Sequence, residues 1–196
     1  MSDELEKIKK FMTFKRDTVE ETINDVNSTK FATILIGIAI TLGVIQALLQ
    51  EFLSQDLFEW IVNRFGITVL SIERIITNAI ASNIVFPILA IILIYYIGNA
   101  IKGEAQSFNH VVRAVGYSVP PLIVSLAFSF LSVIPNIIIE GIVVFVNVAF
   151  GFWFVIILFF ALMITFKKGA LTGIGAVAIS AIIAGIASSM WTFFIP

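Results

Sequence analysis

From Phe31 to Gln50 the chain reads FATILIGIAITLGVIQALLQ, twenty residues without a charge. A bilayer core about 30 Å thick is crossed by about 20 mostly apolar helical residues, and inside lipid every backbone polar group must be satisfied within the segment. A stretch of this kind therefore has few options other than a membrane helix. The same condition recurs at 83–101, 112–134, 142–166 and 171–194, where Arg113 is the one charged residue. The expected fold class is all-α, a polytopic membrane protein with five transmembrane helices, preceded by an amphipathic tail at 1–30 and carrying extracytoplasmic interfacial helices. At 59% hydrophobic and 13% charged, the composition lies far from the roughly 45–50% and 25% of soluble domains.

Orientation follows from the basic residues, which concentrate on the cytoplasmic side of membrane proteins. Ten of the twelve Lys and Arg fall in the tail, beside the second and third segments (Lys102, Arg113), or between the fourth and fifth (Lys167, Lys168). Only Arg64 and Arg74 lie on the other side. The expectation is a cell-membrane protein with a cytoplasmic N-terminus and an extracytoplasmic C-terminus. The first 30 residues are charged and lack the apolar core of a cleavable signal, so the segment from Phe31 is expected to act as the insertion signal.

In the tail, Leu5, Ile8, Met12, Val19, Ile23 and Val26 share one face at helical periodicity, with Asp3 and Glu6 as a capping box. This helix either lies on the membrane surface or docks a partner, or else it packs on the protein's own loops. The 51–80 stretch, with Leu53, Leu57, Trp60 and Ile61 opposite Asp56, Glu59 and Asn63, reads as a pair of short helices on the outer surface, broken at Gly66.

The chemistry is sparse. There is no cysteine and a single histidine, His110, so thiolate and multi-histidine metal sites are excluded. The spans hold no catalytic motif. No enzyme activity, cofactor, metal or nucleic-acid binding is expected. Ionisable groups at membrane depth are costly and become site candidates. Glu140, near the start of the fourth helix, is either an intramembrane acid or an interfacial one favoured by the helix N-terminus. Arg113 and Tyr117 stand one turn apart after His110. They form either a basic, aromatic-flanked pocket for lipid phosphate or a partner's acids, or a snorkelling Arg and an interfacial Tyr. Tyr95 and Tyr96 belong to the same region or to an aromatic belt. Asn83, Asn99 and Asn147 read as hydrogen-bonding glue between helices. In the fifth helix, Gly173, Ala176, Ser180, Ala184, Gly185 and Ser188 form small-residue stripes that let helices approach closely, within a subunit or between two.

The stretch IYYIGNAIKGEAQSFNHVVRAVGYSVPPLIV pairs a helix ending in Tyr95-Tyr96 with a short loop, Ser107-Phe108, and Gly116-Tyr117-Ser118 ahead of Pro120-Pro121. It resembles the "GG…SF…V..GY…P" signature of the Ypt-interacting protein (Yip) family, and the resemblance extends over nearly the whole chain, including Lys167-Lys168-Gly169-Ala170. Glu104 replaces the family's second glycine and the tail is short, which points to a prokaryotic, archaeal member. The resemblance implies a non-enzymatic membrane scaffold or adaptor that binds a protein partner, a GTPase in eukaryotic relatives, and associates with its own copies. The alternative is a small transporter or lipid-handling protein. Pro120 and Pro121 should break the third helix, freeing carbonyls near Gly116 and Tyr117. The break would leave a polar notch beside Arg113 that faces the cytoplasm, or else a static kink.

Overall fold

The computed structural model describes residues 2–65, 72–101, 107–134, 136–167 and 170–194; within these, the side chains of residue 2 and of 51–65, 72–75, 170–172 and 188–194 lie outside it. The proposed break at Gly66, the Lys102–Glu104 loop, Lys168 and Gly169 fall outside the described residues, as do the side chains of Arg64, Arg74, Trp60 and Ser188. Every described element is helical, in the order α1 (Ser2–Met12), α2 (Arg16–Asn24), α3 (Ser28–Phe65), α4 (Ile72–Ile80), a π turn (Ala81–Val85), α5 (Phe86–Ala100), α6 (Phe108–Ser118), α7 (Pro120–Ser129), a 3-10 turn (Phe130–Val133), α8 (Ile137–Phe166) and α9 (Ala170–Phe194).

Among the described residues, Ser28–Gln50, Ile76–Ala100 and Ile137–Phe166 are long and apolar enough to cross a bilayer. The pair Phe108–Ser118 and Pro120–Val133, bent by 45°, makes a fourth when taken as one span. Their outer faces carry large apolar side chains in the open, among them Phe145 at 73% and Phe152 at 71% exposure. On a water-soluble protein such a belt would be an aggregation surface; against lipid it is the natural face.

Two boundaries differ from the sequence expectation. Residues 51–65 are not a separate surface helix but the continuation of α3, which runs unbroken for 38 residues. No Gly or Pro occurs between Val44 and Phe65, so nothing interrupts the backbone ladder. At 1.5 Å per residue α3 is about 57 Å long and outreaches the hydrocarbon core. The second span starts at Ile76 rather than 83, because α4 passes through the π turn directly into α5. Pro87 has no N–H to give Asn83, and Phe86 N–H bonds Ala81 O instead, which produces the wider turn.

The tail is two helices rather than one. Phe14 adopts φ 58°, a left-handed conformation that costs energy for an aromatic residue. Its ring is held 5.4 Å edge-on from both Trp153 and Phe160 of α8. The turn resets the helical phase, so Phe11, Val19 and Ile23 are buried, whereas Leu5 (59%) and Val26 (76%) are exposed. The tail packs on α6 and α8, so it lies on the protein's own framework. Of the fifth-helix stripe, Gly173, Ala176 and Ser180 are buried; Gly173 stands against the α8 backbone at Phe159 and Met163. Ala184 is half-buried and Gly185 exposed.

Candidate functional site

The break in the third span is where the sequence placed its candidates, and the prolines sit where they cost least. Pro120 and Pro121 occupy the first turn of α7, whose N–H groups would be unpartnered in any helix. Of the two carbonyls they free, those of Gly116 and Tyr117, Gly116 O accepts from Val119 N–H at 3.3 Å; one turn earlier, Ser118 Oγ donates to Ala114 O at 2.7 Å. The chain itself thus supplies the partner of the Gly116 carbonyl at the break.

The expected open notch is filled. Tyr117 is fully buried, its ring 5.5 Å from Phe11 of α1 and 6.0 Å from Phe31 of α3. Its hydroxyl donates to the Glu4 carboxylate of α1. Lys7 Nζ donates to Glu4 Oε1 at 3.2 Å, to Asp25 Oδ2 at 2.9 Å and to Ser28 Oγ at 3.3 Å, and Ser28 Oγ donates to Asp25 Oδ2 at 2.8 Å. Hydrogen bonds from Lys7, then Ser28, hold the Asp25 carboxyl down at about 2, and the Asp25 bond raises Lys7 above the ordinary lysine range. This network ties α1, the α2–α3 connection and α6 together. Sequence periodicity missed Glu4, Lys7, Phe11 and Asp25 because they meet only once the chain turns at Phe14.

Arg113 neither snorkels nor faces solvent. It is 3% exposed, its Nε donates to Asn109 O at 3.1 Å, and among the described residues its Nη1 has no hydrogen-bond partner. Gly116 lies so close to α3 that a Cβ there would come within 2.6 Å of Ala32 O, which makes glycine the residue that admits this crossing. His110, half-buried, pairs through Nδ1 with Ser107 Oγ at 3.1 Å and lines a small cleft with Glu20, Asn24, Thr165 and Lys167. The structure thus gathers Arg113, Gly116 and Tyr117 under the tail and leaves His110 at its edge. Glu140 is remote and exposed in the first turn of α8, a helix capped by Asn136 Oδ1 accepting from Ile138 N–H at 2.9 Å. Asn147 joins α8 to α7, accepting at Oδ1 from Ser125 and Ser129 at 2.8 and 3.1 Å. Tyr95 packs edge-on to Phe108 at 5.5 Å, and Tyr96 is 65% exposed.

A second feature was not legible in the sequence. A partly open cavity of about 340 Å³ lies among α3, the α4–α5 span, α6, α7, α8 and α9. Pro87 and Val119, at the two helix breaks, both line it. Its two polar side chains both bond within their own helices: Asn83 Nδ2 donates to Ala79 O at 3.0 Å and Ser180 Oγ to Ala176 O at 2.6 Å. Neither Arg113 nor Glu140 reaches it.

The Yip1 domain pattern matches residues 9–192, which takes in the tail helix α2, the broken third span and most of α9. The chain belongs to the Yip1 domain family. It is accordingly a multi-pass membrane protein of Yip type. No curated protein and no solved structure matches it. The Gly116-Tyr117-Ser118 and proline positions that carried the resemblance coincide, in this Yip1 domain, with the tail-docking contacts and the 45° bend.

Proposed function

We propose that this Yip1-domain protein is a non-enzymatic membrane scaffold whose docked N-terminal helices form the surface that binds a protein partner. The observation that carries this reading is the latch itself. A tail pinned by Phe11, by Tyr117 with Glu4, and by Lys7 with Asp25 presents one fixed charged face rather than a free amphipathic helix. Between α1 and α2 that face has a polar groove of about 230 Å³ lined by Asp3, Glu6, Lys7, Lys10, Thr18, Glu21 and Thr22. Pre-organised surfaces lose less entropy on binding than surfaces that must first order.

The topology we propose has five spans, with α9 as the fifth, about 37 Å long by helical rise and sufficient to cross. The basic-residue bias favours a cytoplasmic tail, which puts the groove on that side. Self-association through the exposed part of α9, where Ile182 and Ile186 face outward, is part of the proposal. We prefer this reading to the notch-based transporter because the tail covers Tyr117 and the cavity at membrane depth is lined mainly by apolar side chains.

The test is purification of the full chain from its native membrane with quantitative mass spectrometry of companions, for wild type and for Glu6→Lys with Glu21→Lys. A protein companion at fixed stoichiometry that is lost in the double variant supports the scaffold. Companions that ignore the reversal, together with solute flux through the protein reconstituted in vesicles, overturn it.

A further inference from the structure

The tail surface leaves the intramembrane cavity without a role. We propose that this cavity is a binding site for one acyl chain of a bilayer phospholipid, held between α3, α5, α7 and α9 as a structural ligand.

Three observations converge. First, the walls belong to the spans themselves: Ile36 and Gly43 lie in Ser28–Gln50, Ala90 and Ile94 in Ile76–Ala100, and Phe154 and Leu158 in Ile137–Phe166. The medium at that depth is hydrocarbon, and the cavity is partly open. Second, the lining offers little to a polar solute: Asn83 and Ser180 are its two polar side chains, and the other lining residues are apolar or glycine. Asn83 gives one of its two amide hydrogens to Ala79 O and Ser180 gives its one hydroxyl hydrogen to Ala176 O, so a polar solute would replace little of the hydration it loses. Apolar cavities stay dry and accept apolar ligands. Third, the volume of about 340 Å³ sits at the lower end of small-ligand pockets, with room for a single chain and not for a headgroup with two.

The space arises from two irregularities that face each other across it. The π turn before Pro87 displaces the α4–α5 span, and the 45° bend at Val119–Pro120 turns α7 away from the line of α6. π turns are frequent at functional sites. A chain lying between the two breaks fills the gap that neither helix can close by itself. The headgroup remains at the membrane surface, so recognition is by chain and independent of headgroup charge.

The test uses the full chain in vesicles of phosphatidylcholine and phosphatidylglycerol containing a phosphatidylcholine with a diazirine midway along one acyl chain. After illumination, labelled peptides are mapped. The expected result is saturable labelling of 36–43, 83–94 and 115–126. That labelling is lost in Ala90→Phe and in Val177→Phe, which fill the cavity from two separate walls, and kept in Val144→Phe on the exposed face of α8. Helix content by circular dichroism identifies which variants fold, and the wild-type map stands without either of them. Labelling confined to outward positions such as Phe145, Val148 and Phe152, and unchanged in a folded cavity-filling variant, overturns the proposal.

Discussion

Replacing Tyr117 with Phe removes one hydroxyl and leaves the ring contacts at 5.5 Å to Phe11 and 6.0 Å to Phe31 in place. The lost interaction is a hydrogen bond to a carboxylate, a class that contributes about 1.5–3 kcal/mol. Glu4 keeps Lys7 at 3.2 Å, so its charge is not stranded, and the lower end of that range applies. A loss of about 1.5 kcal/mol corresponds to about a tenfold shift in the docking equilibrium of α1. Hydrogen–deuterium exchange in lipid nanodiscs at neutral pH reads this directly. Amides of α1 should exchange about tenfold faster in Tyr117→Phe, with α8 unchanged, because local opening is governed by the local free energy. Unchanged exchange in α1, with acceleration on Phe11→Ala, would refute the reasoning by showing that packing alone holds the tail.

The same network sets a pH response. The folded Asp25 carboxyl lies at about 2 against an ordinary 3.8, so its contribution is complete above about 4 and is lost as the pH falls through 2. Lys7 is raised above its ordinary 10.5, so its contribution is complete below that value and fades only at still higher pH. Tail protection should therefore be flat across neutral pH and decline between about pH 4 and 2, with Asp25→Asn abolishing the acid limb. At the α5–α8 contact, Gly98→Ala drives a Cβ into the fully buried Phe166 ring. Overpacking of this kind costs about 1–3 kcal/mol, and thermal unfolding in detergent should show a lowered midpoint that Phe166→Leu restores. Asn147→Leu removes the acceptor shared by Ser125 and Ser129, and should lower the same midpoint by the equivalent of about 1 kcal/mol.

Membrane helices are the part of such a fold that sequence shows best, since each apolar run carries its own signal. The runs beginning at Phe31 and Ile142 lie within helices of the structure, and the break at Pro120-Pro121 is where the third span bends. What periodicity could not supply was phase and reach. A single residue, Phe14, moved to positive φ by its contacts with Trp153 and Phe160, splits the tail and exchanges Leu5 and Val26 for Phe11 in the core. The 51–65 segment looked interfacial from its charges, yet its backbone had no reason to stop. Arg113 and Tyr117 were visible as a pair one turn apart, but Glu4, which accepts from Tyr117, lies 113 residues away in sequence and is brought in only by the docked tail. The cavity was invisible for a related reason: Pro87 and Val119 are unremarkable singly and form a space only when their two helices face each other.

The N-terminal helices are docked on the bundle and not afloat on the membrane surface. The natural absence of cysteine makes this directly measurable. Glu20 of α2 and Lys167 at the end of α8 line one cleft, so spin labels on Glu20→Cys with Lys167→Cys report their separation in nanodiscs by pulsed dipolar spectroscopy. A docked tail predicts one narrow, short distance in wild type that broadens in Phe11→Ala. A broad or long distribution in the otherwise unaltered chain would contradict the docked surface and the adaptor role built on it.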